Sequence, residues 1–118
     1  MTRKVYQYPK CSTCRKALKW LDSKDLSYVA PDITETPPSK KELAAMLAHY
    51  DGDLRRLFNT SGQVYRELKI KDRLATMTRS EAMDLLAANG KLIKRPFLID
   101  ADHGLVGFKQ DEWSSALS

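Results

Sequence analysis

The spacing of apolar residues changes several times along this chain, and each change marks an element. Lys4 to Tyr8 is a short strand-like run carrying Val5, Tyr6 and Tyr8, and Pro9 ends it. Cys14, Ala17, Leu18 and Leu21 then recur at i, i+3, i+4 and i+7, one buried face of a helix predicted over 12–23. Leu26 to Ile33 is rich in β-branched and aromatic residues in alternation, a second strand. Strand, helix and strand within about thirty residues make a β-α-β unit, parallel and right-handed by the usual rule.

Thr36-Pro37-Pro38 breaks the chain, and Ser39-x-x-Glu42 is a capping box that opens another helix. Leu43, Met46, Leu47 and Tyr50 give it an apolar face, and Asp51-Gly52-Asp53 stops it. Leu54, Leu57 and Phe58 predict a short helix, Asn59-Thr60-Ser61-Gly62 a turn, and Val64-Tyr65-x-x-Leu68 another short helix. Thr78-x-x-Glu81 is a second capping box, with Met83, Leu85 and Leu86 behind it and Gly90 as the stop. Phe97–Asp100 and Leu105–Phe108 flank the turn 101–104 as a hairpin, and 110–117 closes as a helix. Met46 and Met83 belong to helix faces and therefore to the core. A β-α-β half and a hairpin half separated by helices describe an α/β chain with a thioredoxin-like, mixed four-stranded sheet. The whole of 1–118 reads as one domain, with a helical insertion at about 39–90.

Composition narrows the function. A chain of 118 residues, 42% hydrophobic and 30% charged, has enough apolar content for a core without covalent staples. No apolar run approaches a membrane span. Met1-Thr2-Arg3-Lys4 leads straight into a strand with no secretory signal, so the expected location is the cytoplasm. Thiols are kept reduced there, and a disulfide would be transient and functional. The net charge of +5 favours anionic partners, small oxyanions or acidic protein surfaces. No Lys/Arg block is interleaved with aromatics, so direct nucleic-acid binding is not expected.

The two cysteines, Cys11 and Cys14, are spaced C-x-x-C where the first strand gives way to the first helix. A helix start carries unpaired backbone N–H groups and the positive end of the macrodipole, and both favour a thiolate. Ser12 and Thr13 would supply such N–H groups. Lys10 and Arg15 add positive charge, and no acidic residue occurs among the first twenty. Cys11 is thus the expected nucleophile and Cys14 its resolving partner. Two other readings stand beside this one. A zinc site would need further Cys or His ligands, but the only histidines, His49 and His103, lie far apart and the paired spacings of zinc motifs are missing. Alternatively, both thiols are buried and inert.

Arg95-Pro96 precedes the third strand. X-Pro bonds are cis in only about 5–6% of cases, so the dipeptide alone predicts trans. The strand facing C-x-x-C in thioredoxin-like folds starts with a cis-proline, which favours cis here and makes Pro96 a groove-shaping residue. Arg95 would then reach toward Cys11 and hold an oxyanion or thiolate. The alternative is one more surface arginine beside Lys91 and Lys94.

Taken together, Tyr6-x-x-Pro9-x-Cys11, the turn from Leu57 to Gly62 with Tyr65-x-x-Leu68, Lys94-Arg95-Pro96 and Val106-Gly107-Phe108 resemble the ArsC/Spx family of arsenate-reductase-like proteins over essentially the whole chain. The resemblance implies a thioredoxin-like core with an inserted helical subdomain and one of two functions. Glutaredoxin-dependent arsenate reductases use a helix-start cysteine, matched by Cys11, with three arginines around the oxyanion. Arg95 matches the second, the first falls at about Ser61, and the third at about Phe108 or Lys109. Their Cys-x-x-Ser is Cys-x-x-Cys here. Spx-type regulators carry Cys-x-x-Cys as a redox switch and bind the C-terminal domain of the RNA polymerase α subunit. A glycine of that contact is matched by Gly52, which also serves as the helix stop. The first function implies an enzyme acting on a small oxyanion or a thiol or disulfide, with no bound cofactor or metal. Glutathione with glutaredoxin, or thioredoxin, would then be the external thiol donor.

Overall fold

A computed structural model of the chain describes residues 2–117. Its sheet is built on β1 (Lys4–Tyr6), which pairs antiparallel with β2 (Phe97–Ile99), Val5 facing Leu98. Strand β2 pairs antiparallel with β3 (Gly104–Val106) as the expected hairpin.

The second strand expected over 26–33 is not a continuous strand. It runs parallel to β1 and meets it at two isolated bridges, Lys4 with Val29 and Gln7 with Asp32. Val5 N–H donates to Val29 at 2.8 Å, Val29 to Arg3 at 2.9 Å, Gln7 to Pro31 at 3.0 Å and Ile33 to Gln7 at 2.8 Å. The rung between them falls at Pro31, which has no N–H to give the carbonyl of Val5. The sheet is therefore three strands with an interrupted parallel edge.

Alternation along the strands divides the core in two. Val5 and Leu98 face α1 (Ser12–Ser23) and α6 (Gln110–Leu117), packing on Ala17, Leu21 and Trp113. Tyr6, Phe97, Ile99 and Val106 face the other way, onto α2 (Lys40–His49) and α5 (Arg79–Ala88) through Leu43, Met46, Met83 and Leu86. Both capping boxes form as the sequence predicts, Ser39 with Glu42 and Thr78 with Glu81. Each fixes a helix start by satisfying N–H groups that the helix itself leaves over.

Two short helices, α3 (Gln63–Glu67) and α4 (Ile70–Arg73), lie between α2 and α5. The second was not expected; it follows Lys69, whose φ of 53° turns the chain sharply. Gly90 has a different role from the predicted stop. Helix α5 ends at Ala88, and a Cβ on Gly90 would lie 1.8 Å from the carbonyl oxygen of Ile33. That glycine exists because two backbones touch there. No helix of the described residues is long and apolar enough to cross a membrane.

Candidate active site

The chain leaves β1, turns at Pro9-Lys10 and enters α1 through Cys11, whose N–H donates to the Tyr8 carbonyl at 2.9 Å. Cys11 is the N-cap, with extended φ and ψ of −91° and 110°. Its Sγ accepts the Cys14 N–H at 3.2 Å, the bond a serine or aspartate cap would ordinarily accept. The sequence had assigned the donors at this sulfur to Ser12 and Thr13; the N–H that reaches it belongs to Cys14. Both cysteines are free thiols, Cys11 partly exposed and Cys14 buried. Burial, reinforced by the Cys11 sulfur, pushes the Cys14 thiol up to about 12, while a Tyr8 backbone contact and the Arg95 charge pull the other way.

Cys11 opens into a cleft of about 550 Å³ shared with Thr13, Asn59, Ser61, Arg95 and Phe108. The Arg95–Pro96 peptide is cis. Arg95 lies with its guanidinium carbon 5.1 Å from the centre of the Tyr8 ring. Its Nη1 is buried and finds no hydrogen-bond partner among the described residues. The cleft wall is Arg95 rather than Pro96, whose carbonyl accepts the Gly107 N–H at 2.9 Å behind it.

Four sequence-named residues lie elsewhere. Arg15 turns away and donates to the Pro9 carbonyl at 2.8 Å on an exposed surface. Lys10 is exposed in the turn and is not part of the cleft wall. Gly52 has φ +82° with nothing within 4 Å of a built Cβ, and its N–H returns to Leu47 at 2.9 Å. That is the geometry of a helix stop. Ser12 is exposed at the first turn of α1 and also stands outside the wall.

The cleft gains residues that the sequence did not offer as site residues. Arg56 and Lys94 line it with Arg95 and Lys109, against one acidic residue, Glu112. These four cations come from three separate segments, 56, 94–95 and 109, and only the fold collects them. Ser61, Phe108 and Lys109, the positions matched to the missing arginines, do line the cleft. Among the described residues no group of three or more His, Cys, Asp or Glu side chains is arranged to hold a metal ion.

A model of the ArsC family matches residues 6–116. The chain is 47% identical over 113 residues to uncharacterized protein YusI of Bacillus subtilis, covering 96% of each. It is 30% identical over 114 residues to the global transcriptional regulator Spx of Streptococcus pyogenes, covering 97% of this chain and 84% of that one. A crystal structure described as a possible arsenate reductase from Streptococcus mutans superposes with a TM-score of 0.87 at 39% identity, over 96% of this chain and 98% of the other.

Proposed function

Because the chain belongs to the ArsC family, we propose that it is a thiol–disulfide oxidoreductase in which Cys11 attacks and Cys14 resolves. On this reading the sheet is thioredoxin-like, with the interrupted edge at 28–33 in the place of the fourth strand. The observation that carries the proposal is the N-cap position of Cys11, its sulfur receiving a helix N–H and opening into a basic cleft. One helix N–H at that sulfur and the Arg95 guanidinium lining the same cleft would hold negative charge that develops on a substrate attacked there.

The steps balance as follows. The Cys11 thiolate attacks one sulfur of a disulfide, a new S–S bond forms, and the other half leaves as a thiolate. Cys14, one helical turn on, then attacks the Cys11 sulfur; its proton passes to the departing thiolate, and the Cys11–Cys14 disulfide results. Two electrons have moved from the cysteine pair to the substrate. Two equivalents of an external thiol such as glutathione, or one of thioredoxin, return them. The cytoplasm supplies both.

Diamide treatment followed by mass spectrometry tests this. The wild type should lose two hydrogens with no added mass, Cys11→Ser should stay unmodified at neutral pH, and Cys14→Ser should hold a trapped adduct with added glutathione. Resolution in the wild type should quicken as pH rises from 7 to 9, because the buried Cys14 thiol must lose its proton to attack. A wild type with both thiols still free after diamide would defeat the proposal.

The relation to Spx favours a second reading, a redox-switched regulator that binds the C-terminal domain of the RNA polymerase α subunit, with Gly52 near the contact. A pull-down with that domain, beside a turnover assay with arsenate, glutathione and glutaredoxin, separates the two.

A further inference from the structure

The cleft is larger and more widely charged than a single oxyanion requires. A tetrahedral oxyanion displaces on the order of four waters, about 120 Å³ at about 30 Å³ each. The cleft at Cys11 holds about 550 Å³. A neighbouring hollow, walled by Asp53, Arg55, Phe58 and Thr60, shares Arg56 and Lys94 with it.

The two arginines of the cleft lie on aromatic rings, Arg56 on Tyr50 and Arg95 on Tyr8, without acidic partners among the described residues. The Arg56 guanidinium stacks 4.6 Å from the centre of the Tyr50 ring, and the Tyr50 hydroxyl oxygen is itself fixed by the Val106 N–H at 3.0 Å. Lys94 crosses Gly107 so closely that a Cβ there would lie 3.2 Å from its Cε. Among the described residues, none of Arg56, Lys94, Arg95 and Lys109 takes part in a salt bridge. Unpaired cations spread along a cleft match a ligand whose negative charges are also spread.

We propose that Arg56 and Lys94 form a carboxylate-binding subsite beside Cys11, so that the electrophile is an organic disulfide bearing carboxylates near its sulfurs. The inference rests on Cys11 being the attacking thiol. Arg95 faces the reacting sulfurs, and Arg56 and Lys94 hold the carboxylates of the half that leaves. The chemistry is the exchange already written: Cys11 forms the new S–S bond, and the carboxylate-bearing thiolate departs with the electron pair.

The test compares two small disulfides, dithiobis(nitrobenzoate), which carries carboxylates, and dithiodipyridine, which carries none. The rate of each with reduced protein is divided by its rate with free cysteine, and the ratio of the two normalised rates is the readout. In the wild type at low ionic strength the ratio should favour the carboxylate probe, and salt should diminish it. Arg56→Gln with Lys94→Gln should lower the ratio about tenfold, within the range of focused electrostatic attraction. Lys16→Gln with Lys19→Gln, both on the exposed side of α1, removes an equal charge and should leave the ratio alone. A ratio that the double variant does not change, with both probes still reacting at Cys11, overturns the subsite and leaves the redox function standing. Failure of both probes to react with the wild type overturns the function itself, and the subsite with it. Two disulfide-bridged peptides, one with glutamates beside the bridge and one with lysines, identify the source. Faster reaction of the glutamate peptide supports a polypeptide substrate. Equal rates, with the small-probe preference kept, support a small carboxylate disulfide.

Discussion

Two groups of charged side chains stand on this fold, and they are treated in opposite ways. Along β1 two carboxylates, Glu42 and Asp100, are each answered by partners. Glu42 accepts the Tyr6 hydroxyl at 2.7 Å and the Ser39 N–H at 3.0 Å, and the Lys4 ammonium stands 3.2 Å from its second oxygen, an ionic contact without hydrogen-bond alignment. Asp100 accepts Arg3 Nε at 3.1 Å and the backbone N–H groups of Asp102 and His103 at 2.9 and 2.7 Å. At the cleft, four cations face one carboxylate, and none is paired among the described residues. Charges that complete one another hold the fold; charges left uncompensated around a concave surface are available to a ligand. Net charge alone, +5 over the chain, does not separate the two.

The largest expected difference is in stability. Glu42 is 8% exposed, and its carboxylate ties α2 to β1 through Tyr6. Glu42→Ala removes a capping-box partner and strands a buried tyrosine hydroxyl. We expect a loss of about 2–3 kcal/mol in urea unfolding, below the cost of breaking a fully buried pair because Lys4 stays within reach of water. Arg56→Gln, at an exposed residue outside any ion pair of the described residues, should change stability by less than about 0.5 kcal/mol. Equal losses from the two substitutions would erase the distinction between paired and unpaired ends.

The same contrast should appear with pH. Burial alone would raise the Glu42 carboxyl, but the Tyr6 hydroxyl, the Ser39 N–H and Lys4 outweigh it and hold it below the ordinary glutamate value. Asp100 is likewise held low: burial acts against it, and the Asp102 and His103 N–H groups, the His103 ring and Arg3 prevail. A carboxyl lowered by folding contributes stability that is present above its unfolded value, about 4, and is lost as pH falls through the folded one. Urea midpoints should therefore fall between pH 5 and pH 3, and Glu42→Gln with Asp100→Asn should flatten that fall. Arg56→Gln with Lys94→Gln should leave its slope unchanged, because those cations have no carboxylate partner among the described residues. A slope that follows the cleft residues instead would mean that they are paired after all.

How much of this was legible in the sequence depends on how locally each feature is encoded. The two capping boxes, α1 and α6 are local patterns, and the structure has them where the residues predict. The break in the parallel edge is also local, at Pro31, but its effect shows only once β1 lies alongside. Helix α4 has four residues, Ile70–Arg73, and follows a lysine with positive φ, so no periodicity announces it. Gly90 looked like a helix stop because a glycine after a helix usually is one, whereas its reason is a contact with Ile33, more than fifty residues away. The cleft divides the same way. Cys11, Thr13 and Arg95 were legible from the C-x-x-C and the Arg-Pro dipeptide. Lys10 and Arg15 were drawn in by proximity along the chain, yet the helix start turns them outward. Arg56 and Lys94 could have been suspected from one signal: each lies within a few residues of a named feature, Arg56 before the Asn59–Gly62 turn and Lys94 beside Arg95.

The smallest expected effect tests the cleft from the opposite direction. Glu112 is its single acidic wall residue and also lies in the first turn of α6, where a carboxylate suits the helix dipole. Glu112→Gln should therefore cost a few tenths of a kcal/mol in stability. If the cleft selects carboxylates, the same substitution should raise the normalised rate of the carboxylate probe over the neutral one about twofold, the scale of a single exposed charge worth about 0.2–1 kcal/mol. Its sign is opposite to that of the Arg56 and Lys94 substitutions, which a general loosening of the site would not produce. A ratio that fell or held steady in Glu112→Gln would place that carboxylate in the service of α6 alone, and the cleft's selectivity would then have to reside in its cations without opposition from the wall.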